Sequence, residues 1–311
     1  MENAAQCKSR TRGFINAMIS SCSFGLIPLF SVPVMEAGME TPSLLIYRFF
    51  FGAIFILMGM AYMRIGLKIT LGQFWRILIL ALSNDVTALA MVYGYNFMPS
   101  GAACTIQFSY PIFTCLLMMA FFHERLTLRT AFAIVLAVVG VAALSGIDMT
   151  GCDSRVWIGV GLELLAGLSY AVYLVLVPVL NVSKMDSLKL TFYVFLLGGV
   201  LLVLFTLFTP TGIQPIGSLK IGGTLLLLGL VPTAVSNFTL IVGLKNIGST
   251  LTSILGALEP LTAMAVGVLV FAEPFDLVTL LGLVCIVAAV LVLIMKGVKL
   301  SSLFSKCSKR R

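Results

Sequence analysis

The sequence predicts an all-α integral membrane protein with ten transmembrane helices, arranged as two inverted-topology five-helix repeats. Three observations lead to this prediction. Hydrophobic residues make up 60% of the 311 residues and charged residues only 10%, with a mean hydropathy of +1.11, whereas about a quarter of the residues of a soluble protein are charged. The apolar residues form ten stretches of about bilayer length. The sequence also aligns with itself at a fixed offset.

Each apolar stretch is long enough to cross the hydrocarbon core as a helix of roughly 20 residues. The Val-rich and Leu-rich runs do not alternate in polarity, which favours helices over transmembrane strands. The first stretch follows basic residues, as in a signal peptide, but it is too long and contains prolines, so we expect it to be retained. The predicted spans are 13–35, 43–63, 74–95, 99–121, 128–146, 155–178, 187–208, 221–243, 247–271 and 277–295.

The lysine and arginine residues predict the orientation. With both termini in the cytoplasm, all but three of the 20 lie on the cytoplasmic side, as the positive-inside rule requires. The exceptions are Arg155 and Lys220 on the outer side and Arg48 within a span. We therefore expect a multi-pass protein of a bacterial-type plasma membrane. The net charge of +8 reflects this bias and a basic tail that can lie on anionic lipid, so no nucleic acid is expected as a partner.

The sequence aligns with itself without a gap at one fixed offset. This alignment pairs Pro111 with Pro260 and Glu124 with Glu273. Because each copy contains five spans, the second copy must enter the membrane from the opposite face. Inverted repeats are typical of secondary transporters, in which a site at the midplane opens to each side in turn. Glu124 and Glu273 lie at span ends, and we interpret them as structural groups. The predicted units are a cytoplasmic segment at 1–12, a first repeat at 13–146, a second repeat at 155–295 and a basic tail at 296–311.

Three sequence segments resemble the EamA family of the drug/metabolite transporter superfamily. They are "SGAACTIQFSYPIFTCLLMMAFFHERLT" in the first half, "STLTSILGALEPLTAMAVGVLVFAEPFD" in the second and "YRFFFGA" at the start of the second span. The resemblance implies ten helices, cytoplasmic termini, a central cavity lined by both halves and transport of small metabolites, often as export. Asp85 and Glu163 are not part of the family pattern.

Charged side chains in hydrocarbon cost about 2.5–3.5 kcal/mol each on insertion scales, so those that persist usually face a cavity or a partner. Arg48 could hold a carboxylate with its forked guanidinium group, or it could snorkel to the headgroups. Asp85 lies in mid-span beside Asn84. It is a candidate proton carrier, or alternatively a structural tie to Arg48 or to a backbone amide.

Two further carboxylates lie in the second half. Glu163 begins a helical stripe that contains Tyr170, and a carboxylate with aromatic rings suits a cationic or zwitterionic amine. Ordinary aromatic packing is the alternative. Glu259 is the strongest candidate, because Pro260 removes a backbone hydrogen bond and leaves a carbonyl group that needs a partner.

In the first half, Gln107, Tyr110 and Pro111 occupy the place that matches Glu259 and Pro260. Prolines at corresponding positions of inverted halves indicate the binding site. The predicted substrate-binding residues are Arg48, Asp85, Gln107, Tyr110, Glu163, Tyr170 and Glu259. Glu259 and Asp85 are the proton-coupling candidates, and Pro111 and Pro260 are the predicted hinges.

The sequence lacks a phosphate-binding loop, a nucleophile elbow and a metal-binding cluster, and it has one histidine. We therefore expect no catalytic residue, metal or cofactor, and no enzyme. The predicted function is a secondary transporter, and specifically an exporter of an amino acid or a related zwitterionic or cationic metabolite. Its expected partners are this substrate, the lipid bilayer and, if transport is coupled, protons. Monomer and homodimer both remain open. A membrane scaffold or sensor is the alternative function, and a lipid-modifying intramembrane enzyme is a weaker one.

Overall fold

The computed structural model describes residues 2–122, 154–180, 182, 185–209, 212–256 and 258–294, and scattered positions between 128 and 143. The described residues form helices and no strand, so the all-α class is confirmed for them. The helices are α1 Glu2–Phe24, α2 Ile27–Glu36, α3 Thr41–Tyr62, α4 Leu71–Gly94, α5 Ser100–Gln107, α6 Tyr110–Phe122, α7 Ser154–Val179, α8 Ser187–Thr206, α9 Leu219–Leu228, α10 Ser236–Leu255, α11 Leu258–Phe271 and α12 Leu277–Ile294. A π-helix, Gly229–Val235, joins α9 to α10.

Six stretches of the described chain are long and apolar enough to cross a membrane. They are Thr11–Glu36, Thr41–Tyr62, Leu71–Gly94, Arg155–Val177, Ser187–Thr206 and Leu219–Gly243. Leu258–Phe271 and Leu277–Ala289 are shorter apolar helices. Most of the predicted span 128–146 and the whole tail 296–311 lie outside the described residues, so the count of ten spans stays a prediction.

Three predicted spans differ from the structure in continuity. The span expected at 13–35 is divided between α1, which ends at Phe24, and α2, which begins at Ile27. The span expected at 99–121 consists of two helices, α5 and α6, and the span expected at 247–271 is interrupted between α10 and α11. The sequence analysis leaves a short connection between the predicted spans 221–243 and 247–271. In the structure this connection is helical, because α10 continues through it. Sequence hydropathy could not find these differences, since it measures how apolar a segment is and not whether its backbone is continuous.

Prolines account for the interruptions. Pro28, Pro111 and Pro260 each lie in the first turn of a helix, α2, α6 and α11, so each break comes immediately before a proline. A proline has no N–H to donate to the preceding turn, and its ring clashes with the carbonyl four residues earlier. It is tolerated in a first turn, where N–H groups have no helical partner. Pro232 instead lies inside the π-helix.

The two predicted repeats pack against each other along most of their length. Helices α1, α3, α4 and α5 of the first repeat contact α10, α8, α7 and α11 of the second. Glycines allow a further close approach, between α3 and the π-helix. A Cβ atom on Gly229 would lie 2.5 Å from Cβ of Phe51, and one on Gly52 would lie 2.8 Å from Cγ2 of Thr233. Small residues of this kind let membrane helices pack backbone to backbone.

Candidate functional site

A small internal cavity lies where helices of both predicted repeats meet. Its volume is about 20 Å³, room for roughly one water molecule. Each of six helices contributes to the lining, with Phe24 from α1, Arg48 from α3, Asn84 from α4, Tyr170 from α7, Phe195 from α8 and Asn237 from α10. The cavity therefore lies between the two halves, as the resemblance implies.

Arg48 points into the protein and does not snorkel to the membrane surface. Its side chain is buried, and Nε donates a hydrogen bond of 2.9 Å to Oγ1 of Thr233. The Thr233 hydroxyl in turn donates to the carbonyl of Leu228 at 2.8 Å. Leu228 lies four residues before Pro232, which has no N–H to donate. Nη1 of Arg48 has no hydrogen-bond partner among the described residues and can bind an anionic group.

Asp85 is buried on α4, and neither of its carboxyl oxygens has a hydrogen-bond partner within the described part of the chain. Asp85 does not form an ion pair with Arg48, so the alternative prediction of a structural tie between these two residues is wrong. Oδ1 lies against α8, where a Cβ atom on Gly198 would come within 2.4 Å of it. Nδ2 of the neighbouring Asn84, which lines the cavity, also lacks a partner. The α4 helix thus places two unsatisfied polar groups in the interior.

Glu163 is fully buried at the contact between α7 and α4. A Cβ atom on Gly94 would lie 2.1 Å from its Oε1, and both carboxyl oxygens lack a hydrogen-bond partner among the described residues. Its electrostatic neighbours are Tyr95 and Cys104. The predicted stripe is therefore divided in space, with Tyr170 lining the cavity and Glu163 lying outside that lining.

Three tyrosines form an aromatic group beside the cavity. The rings of Tyr110 and Tyr170 meet edge to face with centroids 4.8 Å apart, and Tyr173 stacks on Tyr170 at 6.1 Å. Glu259 is close enough to interact electrostatically with Tyr110 and Tyr170. Three of the predicted site residues, from α6, α7 and α11, thus come together. We call Tyr110, Tyr170 and Tyr173 the tyrosine group.

The helix breaks lie next to this group. The backbone carbonyl of Glu259 would be 2.5 Å from a Cβ atom on Gly25, so the start of α11 packs directly on the break between α1 and α2. Gln107 is buried at the end of α5, immediately before the second break. Its carbonyl lies 3.0 Å from the Cβ position of Gly167 on α7. Gln107 lies outside the cavity lining.

Glu273 has a structural role at the end of α11. Its Oε1 accepts hydrogen bonds from the backbone N–H and the hydroxyl of Ser100, at 2.7 and 2.6 Å, and its Oε2 accepts one from the N–H of Gly101 at 3.2 Å. It thereby caps the first turn of α5, which belongs to the other predicted repeat. Glu124, its counterpart in the self-alignment, lies outside the described residues.

Two site residues escaped the sequence-based prediction. Thr233 holds Arg48, and Asn237 lines the cavity and donates from Nδ2 to the carbonyl of Thr233 at 2.9 Å. The signal that could have found them is Pro232, a proline in the middle of a predicted span. Such a proline frees backbone groups that only a polar interior can satisfy.

Apolar helices of membrane-spanning length with polar side chains around an internal cavity place this chain among the multi-pass membrane proteins. The model of the EamA-like transporter family matches this chain twice, at residues 11–146 and 157–295. The chain therefore belongs to the EamA-like transporter family, and it is a membrane transporter. Both the family and its named relative indicate a transporter and not an enzyme.

Two proteins are similar to this chain, one in sequence and one in fold. A protein of Archaeoglobus fulgidus named "Uncharacterized transporter" is 28% identical over 279 residues, which cover 88% of this chain and 93% of that protein. A solved structure titled "Crystal structure of protein" is 15% identical, with a TM-score of 0.64 over 92% of this chain and 96% of its own. The second similarity shows the shared fold alone.

Proposed function

We propose that this protein is a secondary transporter that exports a small zwitterionic or cationic metabolite, such as an amino acid, by alternating access of two inverted repeats. The cavity between helices of the two family-matched segments carries this proposal. Export and location in a bacterial-type plasma membrane with cytoplasmic termini follow from the family resemblance and from the distribution of basic residues.

The polar groups suit a substrate with charges of both signs. Nη1 of Arg48 and Nδ2 of Asn84 lie at the cavity and have no hydrogen-bond partner among the residues that the structure describes, so they can bind a carboxylate. The tyrosine group with Glu259 offers aromatic faces and a carboxylate, which attract an ammonium group. An amino acid carries both groups on one small skeleton.

The cavity must enlarge for such a substrate to bind. Its volume of about 20 Å³ is far below the roughly 300 Å³ at which small-molecule sites begin. The breaks before α2, α6 and α11 and the π-helix at Pro232 are points where a helix can bend without losing regular hydrogen bonds. We propose that rocking of the repeats about these points opens the cavity to one side at a time.

A flux measurement tests this function. Purified protein in liposomes is given labelled amino acids, organic cations and nucleosides, with and without a pH gradient. We expect flux of at least one amino acid or cationic amine, and its loss in Arg48→Gln. Lys220→Gln, at an exposed position outside the cavity, is the matched control and should retain the flux. If no compound crosses under either condition, the scaffold or sensor alternative becomes the better account.

A further inference from the structure

A second, larger cavity lies at the end of the bundle where α3 turns into α4. Its volume is about 1030 Å³, which is in the range of small-molecule sites. The α3–α4 turn and the start of α4 form one wall, and the start of α8 with the residues before it forms the other. We call it the basic groove; its polar residues are Lys68, Gln73, Arg76, Asp186 and Lys189.

The groove carries three cationic side chains and one carboxylate. Oδ1 of Asp186 accepts a hydrogen bond of 2.9 Å from the N–H of Leu188 and caps α8. Nζ of Lys189 donates to the carbonyl of Lys68, and Nη1 of Arg76 donates to the carbonyl of Leu180 at 3.2 Å. Each bond uses one N–H, whereas an ammonium group has three and a guanidinium group five. The groove therefore retains cationic donors for a ligand.

An apolar strip runs along α4 from the same end of the bundle. Leu71, Trp75, Ile79 and Leu82 recur at helical spacing, and all are exposed, Leu71 by 73% and Trp75 by 57%. Such a strip on a membrane helix faces acyl chains, and tryptophan is enriched at the level of the headgroups. Arg76 of the basic groove follows Trp75 directly. Cationic and lipid-facing surfaces thus adjoin on one helix.

We propose that the basic groove binds the phosphate-bearing headgroup of an anionic phospholipid, with the acyl chains of that lipid along the α4 strip. A guanidinium fork and two ammonium groups match phosphate oxygens. A soluble phosphate compound would use the groove but would gain nothing from the strip. Because Arg76 and Lys189 belong to different family-matched segments, a bound headgroup bridges the two halves.

Native mass spectrometry of the purified full-length protein tests this proposal. The protein is titrated with phosphatidylglycerol and with phosphatidylcholine of the same acyl chains. We expect one phosphatidylglycerol to bind in preference. Lys68→Gln and Arg76→Gln should each weaken it about fivefold, since a basic residue near an anionic surface contributes about 1 kcal/mol. Lys68 makes its contact with Lys189 through its backbone carbonyl, so Lys68→Gln leaves that contact intact.

Three controls keep the result decisive. Lys68→Arg preserves the charge and should keep the preference, and Lys220→Gln, outside the groove, should match the wild type. Inorganic phosphate, added in a separate titration, should bind much more weakly than phosphatidylglycerol. Equal binding of the two lipids, or an unchanged preference in both groove variants, would overturn the proposal. Phosphate binding as tight as that of the lipid would show a site for soluble phosphate compounds instead.

Discussion

At the scale of single residues, the buried polar side chains of the site have few hydrogen-bond partners among the described residues. Thr233 is the clearest case, because its one buried hydroxyl accepts a hydrogen bond from Nε of Arg48 and donates one to the carbonyl of Leu228. Asp85 and Glu163 lie instead against glycines of neighbouring helices. Within the described part of the chain, the structure thus combines a hydrogen-bonded series from Arg48 through Thr233 to Leu228 with carboxyl groups that have no hydrogen-bond partner.

Thr233→Val should destabilise the protein while keeping the shape of the side chain. The valine removes the acceptor for Arg48 and the donor for Leu228, and an unsatisfied buried polar group costs about 1–3 kcal/mol. We expect a lower Tm in a thermal unfolding assay in detergent. Thr224→Val is the control, because its hydroxyl also donates to a backbone carbonyl within its own helix, that of Lys220, but at an exposed position. Equal Tm values for the two variants would contradict the role of Thr233.

Asp276 gives a pH-dependent prediction outside the membrane spans. The N–H of Thr279 donates a hydrogen bond of 2.7 Å to the carboxylate of Asp276. This bond, together with a second one from the Thr279 hydroxyl, lowers the pKa of Asp276. A lowered folded-state pKa means that the contribution to stability is present above the unfolded value of about 3.9 and is lost as pH falls through the folded value. Asp276→Ala should therefore lower Tm at neutral pH, and the difference from wild type should shrink in acid. A difference independent of pH would contradict this role.

At the scale of helices, prolines and glycines determine where the backbone breaks and where helices touch. Pro111 and Pro260 were predicted as hinges from the self-alignment, and a break lies before each. The π-helix at Pro232 was not predicted, because a proline alone does not indicate whether the helix will break or continue with shifted hydrogen bonds. The separation of Glu163 from the cavity was also missed, since sequence spacing defines a helical face but not the neighbour that it meets.

Gly229→Ala should be destabilising by about 1–3 kcal/mol, the usual cost of overpacking. Gly229 has a helical φ of −67°, so alanine suits the backbone, but its Cβ would meet Cβ of Phe51 at 2.5 Å. Gly161→Ala in α7 is the control, because no atom of the described residues lies within 4 Å of that Cβ position. The check is the Tm of each variant in the same detergent, and a Gly229→Ala protein as stable as Gly161→Ala would contradict the close packing.

Glu273→Gln should weaken the connection between α11 and α5. The carboxylate accepts three hydrogen bonds at the start of α5, and losing its charge should cost about 0.5–2 kcal/mol, the range for helix caps. A fall in Tm relative to Glu36→Gln, an exposed carboxylate on α2, is the expected result. No difference between these two variants would show that the cap contributes nothing to stability.

At the scale of the whole molecule, the family assignment and the internal cavity agree with the composition and the resemblance. Hydropathy was enough for the helical membrane class, and the proline spacing indicated the breaks at Pro111 and Pro260 but not the one at Pro28. They could not show that Asp85 avoids Arg48, because that depends on how α3 and α4 are rotated about their axes.

If transport is coupled to protons, Asp85→Asn and Glu259→Gln should abolish flux driven by a pH gradient but spare exchange of substrate across liposomes.

Alternating access requires that the one cavity between the two halves opens to each side of the membrane in turn. Ala88, which lines the cavity, can be changed to cysteine in a variant whose seven native cysteines are replaced. Ala53, which is buried outside the lining, provides the matched control. In a variant that still transports, Ala88→Cys should react with a membrane-impermeant thiol reagent added to either side, and Ala53→Cys to neither. Reaction of Ala88→Cys from one side only, or from none, would contradict alternating access through this cavity.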